Sequence, residues 1–214
     1  MPIDLPTVQR AYDQLAWAYD LTFGAILQPG RNLLAKKLSE SIGATVVEFG
    51  AGSGLMLPLY PSAWNVTGVD LSKEMLRLAA RRVASLALDN VTLELIDAEH
   101  SNLPAREFDH VVLPYVYSVT PDPAALMIEA FRVCRPGGSI WVLNHFSGFG
   151  MWRWLEAPLK PLARWIGWRS DFPFSYYVSA QGWDIAAVYS TNIFGLSRLI
   201  QIRCPNESTV RVTL

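Results

Sequence analysis

The sequence predicts an α/β fold in which a doubly wound, mostly parallel sheet ends in an antiparallel C-terminal edge. Between residues 44 and 145, short apolar runs alternate with amphipathic stretches of helical period, which is typical of parallel strands joined by helices. Two further apolar runs, at 183–189 and 193–203, predict the antiparallel edge. We also expect added amphipathic helices at the N-terminus and just before the closing strands.

Length and composition indicate one domain and no nucleic-acid partner. At 214 residues without a break in composition, the chain fits a single domain over 1–214. Its 18 Lys and Arg nearly balance its 19 Asp and Glu, so bulk charge gives no argument for binding nucleic acid. Hydrophobic residues make up 51% and charged residues only 17%, against a usual charged share of about a quarter, which indicates contact with something apolar.

Neither secretion nor a membrane span is expected. The first residues lack a basic region followed by an apolar one, and the long charge-free stretch 49–69 is interrupted by Gly and Pro. Cys134 and Cys204 have no metal-ligand spacing, and buried free thiols explain them as well as any other role, which fits a reducing cytosol. We therefore expect a cytoplasmic protein without a metal site.

The stretch Val46-Val47-Glu48-Phe49 predicts a buried strand that ends in a glycine loop. Three glycines follow at every second position, Gly50, Gly52 and Gly54, and they permit positive φ and close approach to a ligand. Leu55 stands where a dinucleotide fingerprint would place its third glycine. No Lys or Arg lies between Lys37 and Lys73, so the loop suits a cationic ligand better than a pyrophosphate. At this point a nucleoside site and a simple turn cluster both remain open.

Acids end the next two predicted strands. The strand at 65–70 ends in Asp70, about twenty residues after the first glycine, where an acid can accept from the ribose hydroxyls of a ligand on the first loop. Capping of the following helix is a compatible role for Asp70. The strand at 91–96 leads to Asp97.

The remaining strands of the core are predicted at 109–115 and 139–145, the second after a turn at 136–138. Helices are predicted at 31–41, 55–60, 72–87 and 124–134, with Gly24 and Gly30 breaking the chain before the first. Ligands of such sheets lie outside the carboxyl ends of the strands. The residues at these ends are polar or aromatic and should form one site: Glu48, Asp70, Asp97, Pro114, Tyr115, Asn144 and His145.

An N-terminal helix is predicted over 6–23, where apolar residues recur at every third or fourth position. Tyr12 and Tyr19 lie on its apolar side. Packing on the sheet explains this pattern as well as a membrane-facing lid that brings both tyrosines over the glycine loop.

Over residues 44–145 the chain resembles the class I S-adenosylmethionine-dependent methyltransferases. The resemblance is carried by Glu48-Phe49-Gly50-Ala51-Gly52-Ser53-Gly54, Val69-Asp70-Leu71-Ser72, Asp97-Ala98-Glu99, Phe108-Asp109-His110-Val111-Val112 and Arg135-Pro136-Gly137-Gly138. It implies a Rossmann-like sheet, S-adenosylmethionine as the cofactor and S-adenosylhomocysteine as the product.

The resemblance also implies roles for individual residues. The three glycines would lie against the methionine and ribose of the cofactor, and Asp70 would bind the ribose hydroxyls. The adenine would lie between Leu71 and Met75, with Asp97 and Ala98 at its amino edge. Further contacts are implied for Glu48 and Pro114 and, closing over the methionine end, for Tyr19 and Arg31.

The flanks resemble the shorter, soluble bacterial phosphatidylethanolamine N-methyltransferases, through Trp17-Ala18-Tyr19-Asp20, Asn144-His145-Phe146 and Gly167-Trp168-Arg169-Ser170-Asp171-Phe172. This implies successive methylation of a phospholipid headgroup towards phosphatidylcholine, by a monomer at the inner face of a membrane. The rivals are a methyltransferase for another amino lipid or a quinone precursor, and a non-enzymatic membrane protein that binds the cofactor.

The segment 150–170 carries Trp beside Arg and Lys near helical spacing, which is typical of an anionic membrane surface; packing on the sheet edge is the alternative. We divide the chain into a lid at 1–42, a cofactor-binding core at 44–145, a substrate and membrane insertion at 146–180 and closing strands at 181–205. The substrate is expected to meet Tyr12, Tyr115, Asn144, Arg164, Trp168, Arg169 and Tyr177.

A primary amine must lose a proton before it can accept a methyl group. His145, at a predicted strand end and helped by Tyr19 or Tyr117, is the candidate base. A purely structural role, in which the His145 side chain forms a hydrogen bond with the backbone, explains this residue nearly as well.

Overall fold

The computed structural model describes residues 24–40, 44–146, 172–192 and 195–206. The helix predicted over 6–23 and the segment 150–170 lie outside these residues. The predictions for Tyr12, Tyr19, Arg164, Trp168 and Arg169 therefore stay predictions.

A seven-stranded sheet organises the described chain. The strands are β1 (Thr45–Phe49), β2 (Asn65–Asp70), β3 (Val91–Leu95), β4 (Phe108–Pro114), β5 (Cys134–His145), β6 (Ile185–Thr191) and β7 (Ser197–Arg203). They stand in the order β3-β2-β1-β4-β5-β7-β6. The first five strands are parallel, and β7 pairs antiparallel with both β5 and β6. The doubly wound sheet with an antiparallel C-terminal edge is confirmed.

The helices cover both faces of this sheet. They are α1 (Ala25–Leu38), α2 (Lys73–Ser85), α3 (Pro123–Val133) and the single turn α4 (Phe174–Tyr177), with 3-10 turns at Leu57–Leu59 and Ser179–Gln181. The side chains of Ser72 and Asp122 accept backbone N–H bonds and so cap the N-termini of α2 and α3. None of the helices in the described ranges is long and apolar enough to cross a membrane.

Two apolar clusters form the core, one on each side of the sheet. Leu34 of α1 and Ala79 of α2 pack with Val112 on one side, while Leu126 of α3 packs with Val111 on the other. All five of these side chains have no exposed surface. Successive residues of β4 thus enter opposite clusters, as expected for a strand buried on both faces.

The predicted helix at 31–41 begins earlier than expected, because Gly30 lies inside α1 instead of breaking the chain. A Cβ built on Gly30 would lie only 2.3 Å from the Tyr115 hydroxyl. Glycine is therefore required here for close packing between α1 and the end of β4, and the break expected at Gly30 is wrong. The helix predicted at 55–60 is reduced to the 3-10 turn Leu57–Leu59, in which Pro58 has no N–H to donate.

The turn expected at 136–138 is also wrong, because these residues belong to β5. β5 pairs Cys134 with Phe108 and Ser139 with His110, so the residues between bulge out of the ladder. Gly137, at φ +75, allows this bulge.

Cys134 and Cys204, whose role the sequence left open between free thiols and any other, form a disulfide with their Cα atoms 6.7 Å apart. The bond joins the start of β5 to the residue that follows β7. The two cysteines lie 70 residues apart in sequence and become neighbours because β7 returns antiparallel beside β5.

Candidate active site

A cavity opens at the carboxyl ends of β1, β2 and β4, where the strand order reverses between β1 and β4. This is the position at which open α/β sheets bind their ligands. Eleven of the residues chosen from the sequence line it: Arg31, Glu48, Gly50, Gly52, Asp70, Leu71, Met75, Asp97, Ala98, Pro114 and Tyr115.

The glycine loop forms one wall of the cavity. All three glycines have positive φ, as the sequence predicted, at +71 for Gly50, +56 for Gly52 and +79 for Gly54. A Cβ on Gly52 would meet no heavy atom within 4 Å, so the backbone there faces open space. Gly54 does not line the cavity; a Cβ on it would lie 2.8 Å from Leu57 and 3.1 Å from Ala79, so its place is in the packing of the loop on α2.

Asp70 is fixed by backbone bonds at the end of β2. Its two carboxylate oxygens accept the N–H groups of Gly52 and Ser72, each at 2.8 Å. Carboxylate oxygens are also the acceptors that the hydroxyls of a ribose require. Asp70 thus ties the glycine loop to β2 and faces the cavity.

Glu48 places a buried carboxyl at the end of β1. Only 1% of it is exposed, and its Oε2 has no hydrogen-bond partner among the described residues. Burial raises the pKa of Glu48 from 4.5 to about 8, although the Tyr60 phenol and the Arg31 charge act in the opposite direction. A buried, unsatisfied carboxyl that lines a cavity is suited to a ligand cation.

Arg31 brings a cation to the same cavity. The side chain is 5% exposed, its Nη1 donates to the Gly24 carbonyl at 3.1 Å, and its charge lies 5.2 Å from the centre of the Tyr115 ring. Both of its hydrogen bonds to described residues leave from Nη1, so Nε and Nη2 can donate to a ligand carboxylate. Tyr115 itself is buried and has φ +65.

Asp97 and Ala98, which follow β3, line another side of the cavity. The next residue, Glu99, also lines it but was not among the site residues predicted from the sequence. Glu99 is buried, and its Oε1 accepts the Thr120 hydroxyl and the Asp122 N–H. This joins the loop after β3 to the loop before α3, and Thr120 also lines the cavity. Glu99 belongs to the Asp97-Ala98-Glu99 motif, but no role was predicted for it from the sequence. Its partner Thr120 lies 21 residues further along the chain, so no local pattern indicates the contact.

The candidates near the end of β5 stand apart from this cavity. His145, Tyr117, Asn144 and Tyr177 are not among the described residues that line it. Burial lowers the pKa of His145 to about 4, so its imidazole is neutral at pH 7. Burial raises the pKa of Tyr117, whose hydroxyl donates to the Tyr177 carbonyl at 3.0 Å.

Asn144 is fully buried. It accepts from Ser118 at 3.2 Å, and its amide donates to the His145 carbonyl at 2.8 Å. This geometry fixes the backbone at the end of β5. The substrate and base roles of the four residues stay predictions.

Comparison with known proteins defines the class. Residues 47–142 match a family described as a methyltransferase domain. A solved S-adenosylmethionine-dependent methyltransferase from Aquifex aeolicus superposes with a TM-score of 0.62 at 16% identity, covering 79% of this chain and 89% of that one. Phosphoethanolamine N-methyltransferase 2 from Haemonchus contortus, solved with S-adenosyl-L-methionine, gives a TM-score of 0.67 at 24% identity, covering 84% and 43%. These two likenesses show the fold.

The chain belongs to the S-adenosylmethionine-dependent methyltransferases. Among its relatives is the phosphatidylethanolamine N-methyltransferase of Cereibacter sphaeroides, which is 38% identical over 173 residues. That alignment covers 79% of this chain and 84% of the relative.

The cavity fits the cofactor of this family. Its lining offers the groups that such a ligand needs, namely a buried carboxyl in Glu48, a cation in Arg31 and a carboxylate in Asp70. The space beside Gly52 lets the backbone approach the ligand closely.

Proposed function

We propose that this chain transfers methyl groups from S-adenosylmethionine to the amine of phosphatidylethanolamine, in successive steps at a membrane surface. The observation that carries the proposal is the extent of the likeness to the Cereibacter sphaeroides enzyme. Its 173 aligned residues reach well beyond the methyltransferase core at 47–142, and thus into the flanks where an acceptor would bind.

In this proposal the chain's main contribution is positioning. Bound S-adenosylmethionine supplies an electrophilic methyl group. Glu48 and Arg31 hold the amino-acid end of the ligand, Asp70 holds its ribose, and the glycine loop and Tyr115 lie beside it. Fixing the two reactants in line lowers the barrier by several kcal/mol without any covalent help from the protein.

The acceptor amine must be neutral to react. With an ammonium pKa near that of lysine, roughly 10, neutrality at pH 7 costs about 4 kcal/mol. Burial lowers the pKa of His145 to about 4, which makes it too weak a base to take the proton from the ammonium. Its neutral imidazole can instead accept a hydrogen bond from the amine, and in the proposal it orients the neutral amine towards the methyl group. Burial raises the pKa of Tyr117, so its hydroxyl stays protonated and does not act as a base. In the proposal Tyr117 contributes only its aromatic ring.

A cluster of aromatic rings near the end of β5 is relevant to binding a methylated amine. Phe172 stacks on Tyr177 with ring centres 3.8 Å apart and meets the edge of Tyr117 at 5.1 Å, while Phe146 stacks on Phe172 at 5.7 Å. Ring faces attract ammonium groups, including those that become permanently charged on full methylation. Tyr117, Phe146 and Phe172 are buried, so in the proposal the partly exposed ring of Tyr177 meets the mono- and dimethylated lipid and the other three hold that ring in place.

The test supplies purified protein and labelled S-adenosylmethionine with liposomes that contain phosphatidylethanolamine, and resolves mono-, di- and trimethylated products by mass spectrometry. We expect all three products in sequence, no product from Asp70→Ala, and slower turnover at unchanged cofactor affinity from His145→Gln. Parallel reactions receive soluble phosphoethanolamine or a demethylated quinone precursor. Methylation of either one without methylated lipid would contradict the proposal, and normal turnover by His145→Gln would remove His145 from it.

A further inference from the structure

The first turns of α1 are held by partners outside the helix. Pro29 interrupts the helical ladder because it has no N–H and crowds the carbonyl four residues before it. Next to this interruption, the Leu27 carbonyl accepts the Tyr115 hydroxyl at 2.9 Å, and the Gly30 N–H donates to Asn192 Oδ1 at 2.8 Å. Both contacts lie within one turn of Arg31.

Asn192 connects these two contacts. Its Nδ2 donates to the Tyr115 hydroxyl at 3.0 Å and to Ser197 Oγ at 2.8 Å, while its Oδ1 accepts from Gly30. It follows β6 and has φ +63, a conformation that asparagine tolerates better than most residues. One side chain thus joins α1, the end of β4 and the start of β7.

Arg31 depends on this arrangement for its position. It follows Gly30 directly, and its charge lies over the ring of Tyr115, the residue whose hydroxyl Asn192 holds. Tyr115 has φ +65, an unfavourable conformation for a non-glycine residue that its surroundings must enforce. Asn192 itself does not line the cavity, whereas Arg31 and Tyr115 do.

We propose that Asn192 is a positioning residue for the cofactor, and that its bonds to Gly30 and Tyr115 hold the Arg31 guanidinium where it meets the carboxylate of S-adenosylmethionine. The inference rests on the role of Arg31 and not on the lipid acceptor. Its test measures cofactor binding, so it stands or falls independently of the phosphatidylethanolamine assay.

The key variant is Asn192→Gly. Glycine adopts positive φ without strain, so the backbone of the β6–β7 turn is kept while the amide is lost. Calorimetry should show S-adenosylmethionine bound about 10-fold more weakly, the equivalent of one charge-assisted hydrogen bond. 5′-Methylthioadenosine lacks the amino-acid carboxylate and should bind Asn192→Gly and wild type equally.

Arg31→Gln gives the matching comparison. This variant should lose S-adenosylmethionine affinity, and adding Asn192→Gly to it should cause no further loss, because both changes remove the same contact. Ala87→Gly is the control, since Ala87 is an exposed residue with φ +48 far from the cavity. It should bind both ligands as wild type does.

Three results would overturn the inference: equal weakening of both ligands by Asn192→Gly, no weakening of either, or additive losses in the double variant. If Asn192→Gly unfolds below the assay temperature, Asn192→Asp carries the same comparison. Aspartate keeps the acceptor for Gly30 and loses the donor to Tyr115, so a smaller loss confined to S-adenosylmethionine is expected.

Discussion

At the scale of single residues, Glu48 is the side chain whose surroundings most change its chemistry. A carboxyl that is 1% exposed keeps its proton to a much higher pH than one in water, and burial raises its pKa to about 8. Glu48 therefore keeps its proton at neutral pH, and a further cation beside it would favour its ionisation. If the proposed contact between Glu48 and the ammonium of the cofactor forms, cofactor binding should be accompanied by release of the Glu48 proton.

We predict that Glu48 makes the protein less stable as pH rises. Its folded pKa lies above the unfolded value of 4.5, so the stability it contributes is fully present below pH 4.5 and is lost as pH rises through about 8. In urea unfolding, the stability of wild type relative to Glu48→Gln should fall between pH 5 and 8 by up to about 1.4 kcal/mol per pH unit. A difference between the two proteins that does not change with pH would contradict this. Glu107→Gln, at an exposed position, controls for the loss of one charge.

At the scale of elements, the disulfide between Cys134 and Cys204 fastens β7 to β5. Cys134 is the first residue of β5, so the disulfide lies at the amino end of this strand, whereas the cavity lies at the carboxyl ends of the parallel strands. The effect of the disulfide should therefore fall on the stability of the sheet and not on the site.

We predict that the unfolded, unreduced protein has no titratable thiol and that reduction exposes two. Because the closed loop spans 70 residues, reduction should lower the free energy of unfolding by about 4 kcal/mol on the chain-entropy model. Affinity for S-adenosylmethionine should stay unchanged. Cys204→Ser is the matched control, since it should have the stability of the reduced protein with or without reductant. Two reactive thiols before reduction would show that the pairing is wrong.

The element boundaries show what local pattern can and cannot predict. β2 begins and ends where the sequence placed it, because its apolar run and its terminal acid are both local signals. Gly30 and Gly137 misled the prediction, because glycine also permits close packing. A Cβ on Gly30 would meet Tyr115 at 2.3 Å, and one on Gly137 would meet Asn206 at 2.8 Å. Neither neighbour is visible from the nearby sequence.

At the scale of the whole molecule, the position of the site could be predicted and its supports could not. Parallel strands bring their carboxyl ends together, so Glu48, Asp70 and Asp97 follow from counting strands. The bond from Gly30 to Asn192 joins residues 162 positions apart. It exists only because β7 inserts between β5 and β6, which periodicity does not specify.

The proposed membrane binding is also a question at the scale of the whole molecule. The formal net charge is −1, so attraction to an anionic surface must come from a local group of cations, which the sequence places at 150–170. We predict that changing Trp152, Arg164 and Trp165 together to alanine weakens sedimentation with anionic liposomes about 10-fold or more, since interfacial rings and cations each contribute on the order of 1 kcal/mol. Arg81→Ala, an exposed cation on α2, is the control and should sediment as wild type does. Unchanged sedimentation of the triple variant would assign the segment to ordinary packing.

The insertion of β7 also sets the order in which the molecule is completed during synthesis. β6 pairs only with β7 in the described sheet, so β6 joins the sheet only after β7 has been synthesised and the two can add to β5 as a hairpin. Asn192 is synthesised 162 residues after Gly30 of α1. At a translation rate of roughly 5–20 residues per second, this delay is on the order of 10 to 30 s. The nascent chain thus carries its glycine loop long before Asn192, the partner of Gly30, has been made, so the contacts around α1 form later than the loop itself.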